Sequence, residues 1–240
     1  MALVECRDLV RAFGRHAPVV DGVNLDIEGG EVLGLIGPNG GGKSTLLLLI
    51  AGLITPTSGT VTVNGHPAHE LAQQTTGAVG LITATPGLYP LLTAAENLAY
   101  FGGLNGLSDS EVRERALPLL DELGVGDQMD RQVKEFSSGM QQKISLARAL
   151  LMDPKLLLLD EPTSNLDPVS THTIHLAVRK QADRGVAVVL CTHDLHAADA
   201  ICDRVAVMQR HIRASDRLPG ERKLPEMSAL YRMYEEHVEP

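Results

Sequence analysis

The chain has 240 residues, 44% of them apolar and 21% charged. That is enough for one elaborated α/β domain with a large core, and it excludes a disordered, collagen-like or disulfide-stapled protein. Lys and Arg number 21 against 30 Asp and Glu, and the formal charge of −9 argues against nucleic-acid binding as the main activity. The three cysteines, Cys6, Cys191 and Cys202, have no C-x-x-C spacing and read as free thiols of a reducing compartment. At the N-terminus, Glu5 and Asp8 stand where a signal peptide requires apolar residues. The longest apolar run, Leu46 to Ile54, is interrupted by Gly52 and is too short for a membrane span, so membrane work would need spanning helices from another chain.

Short β-rich runs are expected at 3–11, 18–27, 31–36, 60–64, 78–82, 156–160, 186–191 and 203–208, with helical stretches between them from the middle of the chain onward. This alternation predicts an α/β fold with a mostly parallel sheet. The unbroken apolar runs LLLLD (156–160) and VAVVLC (186–191) suit central strands covered on both faces. Between 86 and 154 only helical signals occur, which predicts a helical subdomain inserted in the sheet domain. Ser108 with Glu111 announces one of its helices through a capping box, Gly124 closes it, and Pro118 is expected to kink or break it. Residues 1–218 then form the main domain, and 219–240 a Pro/Gly/charged linker with a short C-terminal helix.

The most specific signal is Gly37-Pro38-Asn39-Gly40-Gly41-Gly42-Lys43-Ser44, followed by Thr45, between the strand EVLGLI and a helix starting near Lys43. Glycines let such a loop curl so that backbone N–H groups point at a β-phosphate. Lys43 then reaches the β- and γ-phosphates, and Ser44 offers a hydroxyl to Mg²⁺. The strand Leu156–Asp160 ends in two carboxylates, Asp160 for the Mg²⁺ shell and Glu161 to polarise a water for attack on the γ-phosphate. Ser137, Ser138 and Gly139 open a helix and make an anion site or an ordinary N-cap. Asp167 ahead of Pro168 suits a helix cap. The i, i+3 pairs His172/His175 and His193/His196 lack further ligands nearby, so a metal site is not expected there.

With these residues in place, the sequence resembles the nucleotide-binding subunit of ATP-binding cassette (ABC) transporters over about residues 3 to 210. GPNGGGKST (37–45) matches the Walker A loop, FSSGMQQ (136–142) resembles the LSGGQ signature, and LLLLDEPT (156–163) resembles Walker B. SNLD (164–167) is similar to the D-loop, CTHDL (191–195) carries a switch histidine at His193, and Phe13 in RAFG stands where the family places an adenine-stacking aromatic. The resemblance implies a P-loop NTPase (RecA-like) fold, with an N-terminal antiparallel β part beside the parallel core. It implies an ATPase that binds ATP and Mg²⁺, the metal held by Ser44 and Asp160, with Glu161 and His193 catalytic. Ser137 and Gly139 would cap the γ-phosphate held by an opposing subunit, and Asp167 would touch that subunit's phosphate loop. The implied partners are a second ABC ATPase subunit, identical or not, and a separate multi-span membrane permease. The implied location is cytoplasmic, peripheral on the inner face of the cell membrane.

One departure stands out. Where the family usually carries a Gln that touches Mg²⁺ and the attacking water, this chain has Ala84, flanked by Thr83 and Thr85, which could substitute through water. The text GLYPLLTAAENLAYFGGLNGL looks most like the exporter branch, and Leu88, Tyr89 and Leu91 suit either a permease docking surface or internal packing. Two other readings stay open: a soluble ABC ATPase acting on ribosomes or DNA, and a regulatory module that binds ATP without hydrolysis. The single cassette and the charge of −9 oppose the first, and Glu161 with His193 opposes the second.

Overall fold

The structure, a computed structural model, describes residues 2–74, 77–217, 230, 233–234 and 236–237. Two sheets organise it. The first is antiparallel, in the order β2 (Val20–Ile27), β1 (Val4–Arg11), β4 (Ser58–Val63) and β5 (His66–Pro67). The second has six strands, in the order β10 (His211–Arg217), β9 (Arg204–Gln209), β3 (Val32–Ile36), β8 (Ala187–Thr192), β7 (Leu156–Asp160) and β6 (Val79–Ile82). Its pairs are parallel except β9 with β10.

The apolar runs of the central strands have a direct explanation. Leu156 and Leu158 join the core on one face of the large sheet, together with β1, β2 and the helix α1 (Lys43–Ile50). Leu157 and Leu159 join the core on the other face, beneath the later helices. A strand wetted on neither face has no polar position in its period of two, so it reads as LLLLD rather than as an alternation. Truncating any of these fully buried leucines to Ala would cost about 2–5 kcal/mol.

After the short α2 (Ala68–Gln74), residues 86–154 contain α3 (Ala94–Leu104), α4 (Asp109–Glu122) and α5 (Ser138–Leu150), with two single turns of 3₁₀ helix between the last two. Ser108 and Glu111 do close a capping box, the Glu111 N–H donating to Ser108 Oγ at 3.4 Å and the Ser108 N–H to Glu111 Oε2 at 2.8 Å. Pro118, expected to kink or break this helix, lies inside an uninterrupted α4. Pro118 and Glu114, whose carbonyl loses its partner, are both exposed, so water can satisfy the vacated acceptor. Gly124 follows α4 in a left-handed conformation, φ +67°, as a C-terminal stop.

The chain returns to the sheet through α6 (Pro168–Asp183) and α7 (Leu195–Ile201). The linker expected after residue 218 lies outside the described residues. Of the expected C-terminal helix, Leu230 is helical and buried in the core beneath the helices, with Met233 and Tyr234 packed against it. For function, one edge matters. In the parallel register Ile36 pairs with Thr192 and Asp160 with Cys191, so the loops leaving β3, β7 and β8 open side by side at the carboxyl ends of the strands.

Candidate functional site

The loop from Gly37 to Gly42 joins β3 to α1 along a confined path. A Cβ on Gly37 would collide with the Met208 carbonyl, and Gly42 combines φ +95° with a Val19 carbonyl in the way of any side chain. The loop is also tied to the turn between β9 and β10, where the Arg210 N–H donates to Gly41 O at 2.8 Å. Lys43 is buried at the first turn of α1, and its Nζ donates to Gly37 O at 2.8 Å and Pro38 O at 3.0 Å. The ammonium therefore already sits inside the curl of the loop. Asn39 to Thr45, Val19, Ala84, Asp160 and Glu161 line one cleft of about 250 Å³.

Glu161 follows β7 with a left-handed backbone, φ +50°, held by its N–H bond to Cys191 O at 2.9 Å. Its Oε1 receives the His193 backbone N–H at 3.1 Å and lies 2.8 Å from His193 Nδ1. Its Oε2 lies 3.4 Å from Thr192 Oγ1, which in turn accepts the Asp194 N–H at 2.9 Å. Asp194 caps α7 through His196 N and Ala197 N. Cys191 beside them is fully buried, and burial first, then the Asp160 carboxylate, pushes its thiol well above its ordinary range, so it stays neutral.

The expected signature residues lie elsewhere. Ser137 is the N-cap of α5, accepting the Met140 N–H at 3.3 Å, and both Ser137 and Ser138 are exposed. Gly139 is packed so closely on α6 that an added Cβ would meet Ser170 Oγ and lie 3.1 Å from Asp167 Oδ2. Asp167 caps α6 by accepting the Ser170 N–H at 2.9 Å, and hydrogen bonds from Ser170 hold its carboxyl below the usual carboxylate range. None of Ser137, Gly139 and Asp167 lines the phosphate-loop cleft.

Phe13 follows β1, is 44% exposed and carries the Arg11 guanidinium over its ring at 4.5 Å from the centroid. It too stands outside that cleft. Ala84 lines the cleft while Thr83 and Thr85 do not, and the Thr83 hydroxyl is spent on Thr85 O at 2.8 Å. Leu88 packs against the core, but Leu91 is 69% exposed, and Tyr89 clusters with Tyr100 and Phe101 under Arg148. His175 is buried and His172 exposed on α6, and among the described residues no group of three or more His, Cys, Asp or Glu is placed to hold a metal. The sequence reading passed over Thr192 and Arg11. The only signal for either was adjacency, Thr192 directly before His193 and Arg11 two residues before Phe13.

A family model described as ABC transporter matches residues 20–164. The chain belongs to the ABC transporter family. The Nod factor export ATP-binding protein I of Cupriavidus metallidurans is 36% identical over 220 residues, 92% of this chain and 72% of that protein. The linearmycin resistance ATP-binding protein of Bacillus subtilis is 32% identical over 208 residues, 87% of this chain and 67% of that protein. Among solved structures, the ATP-binding subunit of an ABC transporter superposes with a TM-score of 0.84 at 30% identity, over 97% of this chain and 99% of that one. A dimeric ATP-binding cassette in a post-hydrolysis state with ADP and Pi gives 0.79 at 28% identity, over 91% of this chain and all of that one. This cassette is thus an ATP-binding transporter subunit and an ATPase, with the P-loop NTPase fold expected for it. No helix among the described residues is long and apolar enough to cross a membrane.

Proposed function

We propose that two cassettes, at least one of them this chain, close head-to-tail over two ATP molecules and drive a separate membrane permease in export. The observation that carries this reading is the division of the site. The phosphate loop, Asp160, Glu161 and His193 gather at one edge, while Ser137, Gly139 and Asp167 stand outside that cleft, where a second subunit is needed to bring them to phosphate. The export ATP-binding proteins among the relatives support the direction of transport.

In this reading Phe13 stacks the adenine and residues 37–45 hold the phosphates. Ser44 and Asp160 suit Mg²⁺, because both are hard oxygen donors on the same cleft and Mg²⁺ typically takes one or two carboxylates plus phosphate oxygens and water. Mg²⁺ when bound supplies positive charge to the β- and γ-phosphate oxygens. Lys43 turns its Nζ from Gly37 O and Pro38 O to those same oxygens. Glu161 takes a proton from the attacking water as the water oxygen bonds to the γ-phosphorus, and the bond from that phosphorus to the bridging oxygen breaks, its electron pair leaving on ADP. His193 exchanges Glu161 for the γ-phosphate when ATP is present. Residues 1–218 then make the ATPase domain, with 86–154 as its helical subdomain. Tyr89, Leu91 and Tyr100 offer the permease an apolar docking surface at the cytoplasmic face of the membrane.

Glu161→Gln tests this. The variant should bind ATP yet turn over about 10²–10⁴-fold more slowly, and with Mg²⁺ and ATP it should elute as a dimer in size-exclusion chromatography. A purely monomeric elution under those conditions would refute the head-to-tail arrangement.

A further inference from the structure

We propose that Thr192 is a positioning residue for hydrolysis, holding one oxygen of the Glu161 carboxylate so that the other is opened to water when the His193 ring turns. The inference rests on Glu161 being the general base. In the structure both carboxylate oxygens are engaged by neighbouring residues of a single segment. Oε1 is held by His193 through backbone N–H and ring nitrogen, at 3.1 and 2.8 Å, while Oε2 takes the Thr192 hydroxyl, at 3.4 Å, as its side-chain partner among the described residues. The two holds differ in kind. His193 is exposed, on the loop after β8, with solvent around its ring. Thr192 is 3% exposed, is the last residue of β8 and is paired in register with Ile36 of the phosphate-loop strand. A β-branched side chain at a buried strand end has a stiff χ1.

The Thr192 hydroxyl has one proton to give, and its geometry decides where that proton goes. Its oxygen accepts the Asp194 N–H at 2.9 Å, and Asp194 is fixed as the cap of α7. With that lone pair committed, the hydroxyl proton points to the remaining neighbour that can only accept, Glu161 Oε2. At 3.4 Å the contact is long for a hydroxyl donor, and under the proposal it shortens when the site closes over ATP. Rotation of the His193 ring toward phosphate then opens the side of Oε1 that faced Nδ1 to water, while the His193 backbone N–H on Oε1 and the Thr192 hydroxyl on Oε2 keep the carboxylate's bearing. Without Thr192 the carboxylate, carried on a left-handed backbone, would have no side-chain restraint at the moment the base is needed. Positioning of this kind acts on turnover and not on nucleotide affinity.

The test compares Thr192→Val, which keeps the shape and removes the hydroxyl, with Thr192→Ser, which keeps the hydroxyl. For Thr192→Val, kcat should fall about tenfold with KM for ATP unchanged. Thr192→Ser should restore most of that loss, and adding Thr192→Val to Glu161→Gln should lower turnover no further. Three results would overturn the inference: native kcat in Thr192→Val, a loss that Thr192→Ser does not relieve, or an undiminished tenfold loss on top of Glu161→Gln. Native turnover in Glu161→Gln alone would instead remove the base assignment beneath it, so the two failures are distinguishable.

Discussion

Two helix N-termini in this cassette present backbone donors, and they are built on opposite plans. At α1 the donors are enclosed: the loop is pressed against Met208 and Val19, Lys43 is buried within its curl, and Asp160 and Glu161 wall the far side. At α5 they are open, with Ser137 and Ser138 exposed and only a 3.3 Å side-chain cap at the first turn. The enclosed end draws all of its lining groups from one chain, and Lys43 needs only to turn its Nζ from two loop carbonyls to meet a phosphate. The open end gains little from an anion in water and becomes effective only where a second surface excludes solvent. One kind of terminus therefore makes a binding site, and the other makes half of a dimer contact.

The contrast would be broken most severely at the enclosed end. Lys43→Ala should weaken ATP binding by about 100-fold or more, since a charge-assisted contact to two phosphates is lost, while the melting temperature changes little. Isothermal titration with Mg·ATP measures the first and calorimetry the second. Ser137→Ala sharpens the comparison because it should separate the two ends. ATP affinity of the isolated subunit should stay native while turnover falls about tenfold, and loss of the cap should cost about 1 kcal/mol of stability. A matching loss of monomer affinity would show that Ser137 serves its own nucleotide. The smallest effect is expected at Ala84, on the rim of the enclosed site. Ala84→Gln should raise basal phosphate release by about twofold, equivalent to ~0.4 kcal/mol of barrier, because a side-chain amide would enter a cleft that neither Thr83 nor Thr85 lines. Unchanged release would remove this position from catalysis.

Much of this was legible in the sequence, for reasons tied to particular residues. The central strands announced themselves because Leu156 to Leu159 face apolar cores alternately on both sides. The phosphate loop was legible because Gly37 and Gly42 answer to backbone crowding that a side chain would not tolerate, and Gly40 to a left-handed φ of +79°. Strand β10 was missed: HIRASDR is held to the sheet edge by its ladder with β9 and has little apolar period to read. Pro118 does not break α4, because the penalty of a helical proline depends on whether water reaches the carbonyl it strands, which sequence does not state. Asp167 showed the limit of motif reading. Its visible work is capping α6, and any contact across a dimer is a second duty that one chain does not display. Thr192 was hidden for the opposite reason, since its importance depends on a carboxylate more than thirty residues away.

Glu161 carries a final consequence in its backbone. A non-glycine residue with φ +50° sits in a region that costs about 1 kcal/mol or more, and glycine or asparagine would occupy it with less strain. The fold would therefore be more stable with a different residue there, and selection for thermal robustness alone would drive the position away from glutamate. A cassette evolved in the laboratory purely for stability should accordingly drift toward inactivity at this residue first, and heat resistance and turnover should trade against each other at a single torsion angle.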